Sequence, residues 1–183
     1  MYSLGYACAF ICGILIAVIL CVIFLKMSNT DNDPMTKYDE RQQIVRGIGY
    51  KYSFWTLVLL IAGLIVLDAC GIVLPIENTV LYFLIMVIAL MVHTTYCIFN
   101  DGYFGINNKP KQYYILFVFI GLFNVFIGIL NSIERGLISD GKLSTPVINL
   151  ICGLLFVELG ICIVIKKKMT KNEDYDEEDD EEE

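Results

Sequence analysis

Five long apolar segments alternate with short polar ones along the 183-residue chain. A helix needs about 20 apolar residues to cross the hydrocarbon core of a bilayer, and each segment is roughly that long. Backbone N–H and C=O groups find no water in lipid, so each segment is predicted to be helical. The segments are residues 4–25, 52–75, 78–99, 113–133 and 146–165. The pattern predicts an all-α integral membrane bundle of five transmembrane helices.

The polar segments between the spans predict how the chain is divided into regions. Residues 27–38 contain Pro34 and lack apolar periodicity, which is typical of a flexible linker. From Asp39 onward, acidic residues precede basic ones, and this order suits the dipole of a helix. The stretch is therefore predicted to form a short interfacial helix that leads into the second span. The turn between the second and third spans is predicted to be very short, around residues 75–78. The chain therefore divides into a first helix (1–26), a cytoplasmic linker and interfacial helix (27–51), a four-helix domain of two hairpins (52–166) and a tail (167–183).

The basic residues predict the orientation of these helices. All Lys and Arg residues except Arg135 and Lys142 fall on one side of the predicted membrane, in three separate segments. Short cytoplasmic segments carry an excess of Lys and Arg. We therefore expect the N-terminus outside and the C-terminus in the cytoplasm.

Composition supports a membrane protein and limits the chemistry. The chain is 57% hydrophobic with a mean hydropathy of +0.66, more apolar surface than a soluble fold of this size can bury. The net charge of −7 reflects the tail, which is nearly pure Asp and Glu from residue 173 and is predicted to be a disordered acidic cytoplasmic segment. The seven cysteines form no CxxC pair, and no catalytic motif of soluble enzymes is present. We expect no metal, no cofactor, no nucleic-acid partner and no enzymatic activity.

The first apolar segment carries small residues at every fourth position: Gly5, Ala9, Gly13, Ala17 and Cys21. Small residues at this spacing let another helix backbone approach closely in lipid. The face is interpreted either as packing against this protein's own helices or as a surface for a second copy or another membrane protein.

Polar residues inside the spans define a second set of candidates. Glu158, His93 and Asp68 are ionisable groups at membrane depth, and such groups are costly unless they serve a role. Asn124 joins them because Gly121, Asn124, Gly128 and Asn131 share one face of the fourth span, which is predicted to face inward. Glu158 and His93 lie at overlapping depths and would pair if their helices are neighbours. The four ionisable and amide groups form either an ion path or interhelical hydrogen bonds.

The fifth span also predicts its own position in the bundle. Gly153 and Gly160 lie on one face, whereas Glu158 lies nearly opposite. Two faces that need protein neighbours indicate a central helix or an oligomer.

Two blocks carry a resemblance to a known group of proteins. The stretch YDERQQIVRGIGYKY at residues 38–52 and the stretch YCIFNDGYFGINN at residues 96–108 resemble segments of uncharacterised small multi-pass membrane proteins of Gram-positive, Firmicute-type bacteria. The resemblance implies a location in the bacterial cytoplasmic membrane. It implies no activity and no site residues.

These observations lead to two hypotheses for function. The first is a non-enzymatic membrane protein of unknown specific role, an interaction, regulatory or accessory subunit that binds the lipid bilayer and another membrane protein or a second copy. The alternative is a small transporter or channel component that uses Glu158, His93 and Asn124.

Overall fold

The computed structural model describes residues 4–181, without the side chains of residues 4–10, 13, 14, 17 and 171–181. Five helices and one small hairpin make up this part of the chain. They are α1 (Leu4–Ser28), α2 (Glu40–Ala69), α3 (Asn78–Phe99), α4 (Pro110–Arg135), β1 (Ile138–Ser139), β2 (Lys142–Leu143) and α5 (Val147–Glu181). The predicted all-α fold with five helices is confirmed, and α3 has the predicted bounds.

Four of the helices pack in a row in the order α2, α3, α5 and α4. Val80 and Val87 of α3 pack against Ile151 of α5 in one buried cluster, and Ile98 packs with Leu159 in a second. The central position predicted for the fifth span is therefore confirmed, because α5 contacts α3 on one side and α4 on the other.

Four helices in the described part are long and apolar enough to cross a membrane: Glu40–Ala69, Asn78–Phe99, Pro110–Arg135 and Val147–Thr170. The described side chains of α1 add a shorter apolar helix, Val18–Ser28. We call the end of the bundle formed by residues 27–38 and 100–109 the basic end. The opposite end, formed by residues 70–77 and 136–146, is the hairpin end.

The second helix differs from its prediction at both ends. The predicted interfacial helix and second span form one continuous helix, which begins at a capping box in which the Gln42 N–H donates to the Asp39 carboxylate at 2.6 Å. The helix then stops at Ala69, six residues before the predicted end of the span. Gly71 adopts a φ of +71°, and the Ile72 N–H donates back to the Leu67 carbonyl, which is the hydrogen bonding of a glycine-terminated helix.

The short turn predicted near residues 75–78 is therefore wrong, because eight residues, 70–77, connect α2 to α3. This connection is ordered by the β1–β2 hairpin. The Leu143 N–H donates to the Pro75 carbonyl at 2.8 Å, and the Glu77 N–H donates to the Leu143 carbonyl at 2.9 Å. Asp140 and Gly141 at the hairpin tip both have positive φ, as a two-residue turn of this kind requires.

The backbone of α5 continues as helix to Glu181, beyond the apolar part that ends near Thr170. The sequence predicts that residues 167–183 are disordered, because like charges repel and no apolar side chain offsets the cost of ordering. The side chains past Thr170 lie outside the described part, and disorder of the tail stays a prediction.

Candidate functional site

Glu158 ties α5 to α3 within the apolar length of both helices. The Thr95 hydroxyl donates a hydrogen bond to Glu158 Oε1, and the Cys162 thiol, one turn further along α5, lies 3.2 Å from the same oxygen. Glu158 Oε2 is buried and has no hydrogen-bond partner among the described residues. A groove of about 390 Å³, lined otherwise by Cys162 and eight apolar side chains of α3 and α5, runs beside the carboxylate. The arrangement is an interhelical hydrogen bond in which the second carboxylate oxygen of Glu158 remains an unused acceptor among the described residues.

His93 lies on the other side of α3 and faces α2. Its ring stacks on Tyr50 with the centroids 4.2 Å apart, and its Nε2 lies 3.8 Å from the Cys97 sulfur. A Cβ at Gly49 would lie 3.0 Å from both His93 Nδ1 and the Cys97 sulfur, so glycine at this position lets α2 approach this pair closely. His93 is therefore a packed residue of the α2–α3 contact.

The hypothetical pairing of His93 with Glu158 does not occur. His93 and Thr95 are two residues apart, which places them about 200° apart around the axis of α3. Because Thr95 contacts Glu158, His93 points toward α2 and away from α5. Overlapping predicted depths do not bring side chains on opposite faces of a helix together.

Asn124 and Asp68 are separate from both groups. The Asn124 amide donates to the Ile120 carbonyl of its own helix at 2.9 Å. Asp68 is exposed in the last turn of α2, where it lines a cavity at the hairpin end with Lys142. The four predicted residues thus occupy different contacts, and Glu158 and Asp68 line different cavities.

The glycine stripe of α4 faces inward, as predicted. A Cβ at Gly128 would lie 2.6 Å from Leu150 Cδ2, and a Cβ at Gly121 would lie 3.0 Å from Phe156 Cβ. From the other side, a Cβ at Gly153 of α5 would lie 2.6 Å from Val125 Cγ2. These glycines bring α4 and α5 into the close contact that lipid-embedded helices use in place of the hydrophobic effect.

The described part of α1 stands apart from this row of helices. From Ile11 to Ile23, every described side chain is exposed, and these residues are distributed around the helix rather than along one side. Of the small-residue face, only Cys21 is described, and it is exposed. The side chains of Gly5, Ala9, Gly13 and Ala17 lie outside the described residues. Contact with the bundle is seen at the end of α1, where the Phe24 ring meets the edge of the Tyr113 ring at 5.5 Å.

A network of polar side chains fastens α1 to the basic end of the bundle. We call it the polar clasp: Asn29, Asp31 and Lys37 on one segment, and Asn107, Asn108 and Tyr113 on the other. Asn29 is fully buried; it donates to the Asp33 carbonyl at 2.6 Å and accepts from the Asn108 amide at 2.7 Å. Buried amides with satisfied partners hold a defined geometry, because breaking one hydrogen bond leaves its other polar group buried without a partner, which is energetically costly.

Backbone hydrogen bonds complete the clasp. The Thr30 N–H donates to the Asn107 carbonyl and the Lys109 N–H donates to the Ser28 carbonyl, both at 2.8 Å. Gly105 is required at its position, because a Cβ there would overlap the Lys37 carbonyl oxygen. The segment predicted as a flexible linker is thus a hydrogen-bonded structure.

An ion pair lies on the outer side of the clasp. Lys37 Nζ is 2.5 Å from Asp31 Oδ2 and 3.6 Å from Asp33 Oδ2. The hydrogen bond from Lys37 lowers the pKa of Asp31 to about 2, with a smaller contribution from the Asn107 amide, and the same contact raises the pKa of Lys37. Both side chains are well exposed, so solvent screens the attraction and the buried asparagines contribute more to stability than the ion pair does.

The polar clasp was missed in the sequence because it has no periodicity. It joins segments more than 70 residues apart through single asparagines. The one available signal is the concentration of Asn and Asp in residues 29–33 and again at 107–108. Among the described residues, no group of three or more His, Cys, Asp or Glu side chains is placed to hold a metal ion.

Comparisons of the chain with protein-family models, with curated proteins and with solved structures each find no match.

Proposed function

We propose that the protein is a multi-pass membrane protein that binds another integral membrane protein through α1. The chain inserts with its N-terminus outside and with the basic end and the acidic tail in the cytoplasm, in a bacterial cytoplasmic membrane. Support for insertion comes from the four helices of spanning length. Support for the orientation comes from the lysines and arginines, since all of them except Arg135 and Lys142 lie on the side of the basic end.

One observation carries the binding role: the described side chains of α1 between Ile11 and Ile23 are exposed on all sides. Helices in lipid associate by close packing of small residues, since lipid supplies no hydrophobic drive. A helix that has small residues at every fourth position and whose described side chains are exposed from Ile11 to Ile23 is suited to pack against a helix of a different chain. The polar clasp would fix the direction in which α1 leaves the bundle.

The experiment places a photo-crosslinking amino acid at position 17, on the small-residue face, and separately at position 15, on another face. The full-length chain is expressed in its native membranes and irradiated. We expect one discrete protein adduct from position 17 and none from position 15. Gly13→Leu, which fills the face, should abolish the adduct, whereas Val22→Phe, about 180° around the helix, should leave it intact.

The mass of the adduct separates the outcomes. A discrete adduct with a different protein supports the proposal, and an adduct of twice the chain's mass would replace it with self-association. Equal labelling from positions 15 and 17, unchanged by Gly13→Leu, would contradict a docking role for α1. Reporter fusions at positions 141 and 172 test the orientation independently, because they must report opposite sides of the membrane.

The alternative of a transporter or channel component finds less support in the geometry. Glu158 and His93 face opposite sides of α3, and Asn124 bonds within its own helix. An ion path requires groups that follow one another along a shared cavity. Ion flux into liposomes that is abolished by Glu158→Gln would reverse this preference.

A further inference from the structure

A cavity opens at the basic end between the start of α4 and the end of the apolar part of α5. It measures about 570 Å³, and its polar lining consists of Lys111 and Tyr114 from α4 and Lys167 from α5. The remaining lining is apolar and includes Ile115 and Val164. The cavity therefore combines two cationic side chains with a hydrophobic floor.

A second groove continues from this floor along the α4–α5 contact. It measures about 360 Å³, shares Tyr114 and Val164 with the cavity, and runs past Gly160. Its lining is almost entirely apolar. No atom lies within 4 Å of the position that a Cβ would take at Gly160, so the missing side chain leaves the slot open.

The length of the groove matches half of a bilayer. On α4 its lining extends from Tyr114 to Val125, about 16 Å along the helix at 1.5 Å per residue. The hydrocarbon core of a bilayer is about 30 Å thick, so one leaflet accounts for about 15 Å. The slot thus has the depth of one acyl chain that hangs from the cationic mouth.

The positive charge at the mouth is not compensated within the described part of the chain. Lys166 pairs with Asp101 at 3.1 Å, whereas neither Lys111 nor Lys167 has a carboxylate within ion-pair distance among the described residues. The first turn of α4 also holds no acidic residue. Lysine at a helix N-terminus is unfavourable because its charge has the same sign as that end of the helix dipole. An anion at this position would stabilise both the lysine and the helix N-terminus.

We propose that this site binds an anionic phospholipid of the cytoplasmic leaflet. The phosphate lies between Lys111 and Lys167, the Tyr114 hydroxyl donates a hydrogen bond to it, and one acyl chain occupies the groove over Gly160. The assignment to a leaflet rests on the proposed membrane orientation. The binding itself does not depend on the orientation or on the role of α1.

The test places the full-length chain in nanodiscs. Native mass spectrometry then identifies the lipids that stay bound to the protein when it is released from the nanodisc. Phosphatidylglycerol is compared with phosphatidylcholine of the same acyl chains. Nanodiscs expose both leaflets equally, so the lipid measurement is independent of the topology and of any α1 crosslink. The lipid site and the docking role of α1 can therefore fail independently, and each experiment detects only its own failure.

We expect Lys111→Gln and Lys167→Gln each to weaken phosphatidylglycerol binding on the order of fivefold, and the double variant to lose the preference over phosphatidylcholine. Lys142→Gln, at the hairpin end, is the matched control and should change nothing. Gly160→Phe should fill the slot and remove both lipids, whereas Gly63→Phe, at a glycine of α2 that is equally open, should not.

Three results would overturn the proposal. One is phosphatidylglycerol binding that is unchanged by the lysine variants and by Gly160→Phe. Another is displacement of the lipid by millimolar inorganic phosphate, which would indicate an anion site without a lipid. The third is a chain that gains its lipid preference only after residues 171–183 are deleted, since the acidic tail would then be the resident occupant.

Discussion

The close contact between α4 and α5 makes a quantitative prediction for glycine-to-alanine substitutions on one helix. A Cβ at position 153 would lie 2.6 Å from Val125 Cγ2, about 0.8 Å short of the 3.4 Å at which ordinary contact begins. Valine is held in one rotamer in a helix, so α4 must move away from α5 to relieve the overlap. Overpacking of this kind costs about 1–3 kcal/mol. Gly153→Ala should therefore loosen the α4–α5 pair.

Gly160→Ala is the matched control, because it lies on the same helix and meets no atom within 4 Å. Both variants gain the same intrinsic helix propensity, about 1 kcal/mol, and this gain cancels in the comparison. The free energy of unfolding of Gly153→Ala should fall about 1–3 kcal/mol below that of Gly160→Ala. Reversible unfolding by SDS from mixed micelles, followed by pulse proteolysis, measures this difference.

A second arm tests the cause of the difference. Val125→Ala removes the methyl group that position 153 would strike, so Gly153→Ala should cost little when it is made in that background. Equal unfolding free energies for Gly153→Ala and Gly160→Ala, or a penalty that persists in Val125→Ala, would refute the tight packing of α4 on α5.

Three further predictions concern the contact between α3 and α5 and the contacts at the basic end. Thr95→Val and Glu158→Leu, which each remove one partner, should show a coupling of about 0.5–1.7 kcal/mol in a double-mutant cycle of unfolding, and additive effects would argue against the hydrogen bond between α3 and α5. Asn29→Ala should destabilise the chain by about 1–3 kcal/mol and reduce photo-crosslinking from position 17, whereas Lys37→Met should leave the stability almost unchanged because solvent screens the exposed ion pair. The contribution of Asp31, whose pKa falls from 3.8 to about 2 on folding, should be complete above pH 3.8 and disappear as the pH falls toward 2. An NMR titration of the Asp31 carboxyl should show this low pKa, with a return toward 3.8 in Lys37→Met.

Apolar patterning predicted the helices well because it depends on local sequence. The α3 helix has its predicted bounds, and the inward face of α4 follows from the spacing of Gly121 and Gly128. The end of α2 was missed for a local reason too: Ile72 to Leu74 are apolar, but Gly71 stops the helix before them. Hydropathy measures affinity for lipid and does not register a backbone conformation.

The candidate site was harder to predict because it depends on which faces meet. Glu158 was identified from its cost in lipid, but its partner Thr95 was not, since a threonine at membrane depth carries no such cost and gives no signal. The polar clasp is similar. Its asparagines bond across more than 70 residues, and nothing in either segment alone identifies the other.

In the membrane placement that we propose, the polar clasp and the exposure of α1 are connected by the physics of the bilayer. In water, an apolar helix such as α1 would be driven onto the bundle by burial of its surface, but lipid removes that drive. A helix that stays beside its bundle without packing along it must be attached at one end. The attachment is stable where its polar groups are buried, because water cannot replace their hydrogen-bond partners there. Asn29, fully buried at the end of α1, provides that attachment within two residues of the last apolar side chain, Met27. The same hydrogen bonds that hold α1 at its base therefore leave its described side chains from Ile11 to Ile23 exposed, which is the condition that docking of a second protein requires.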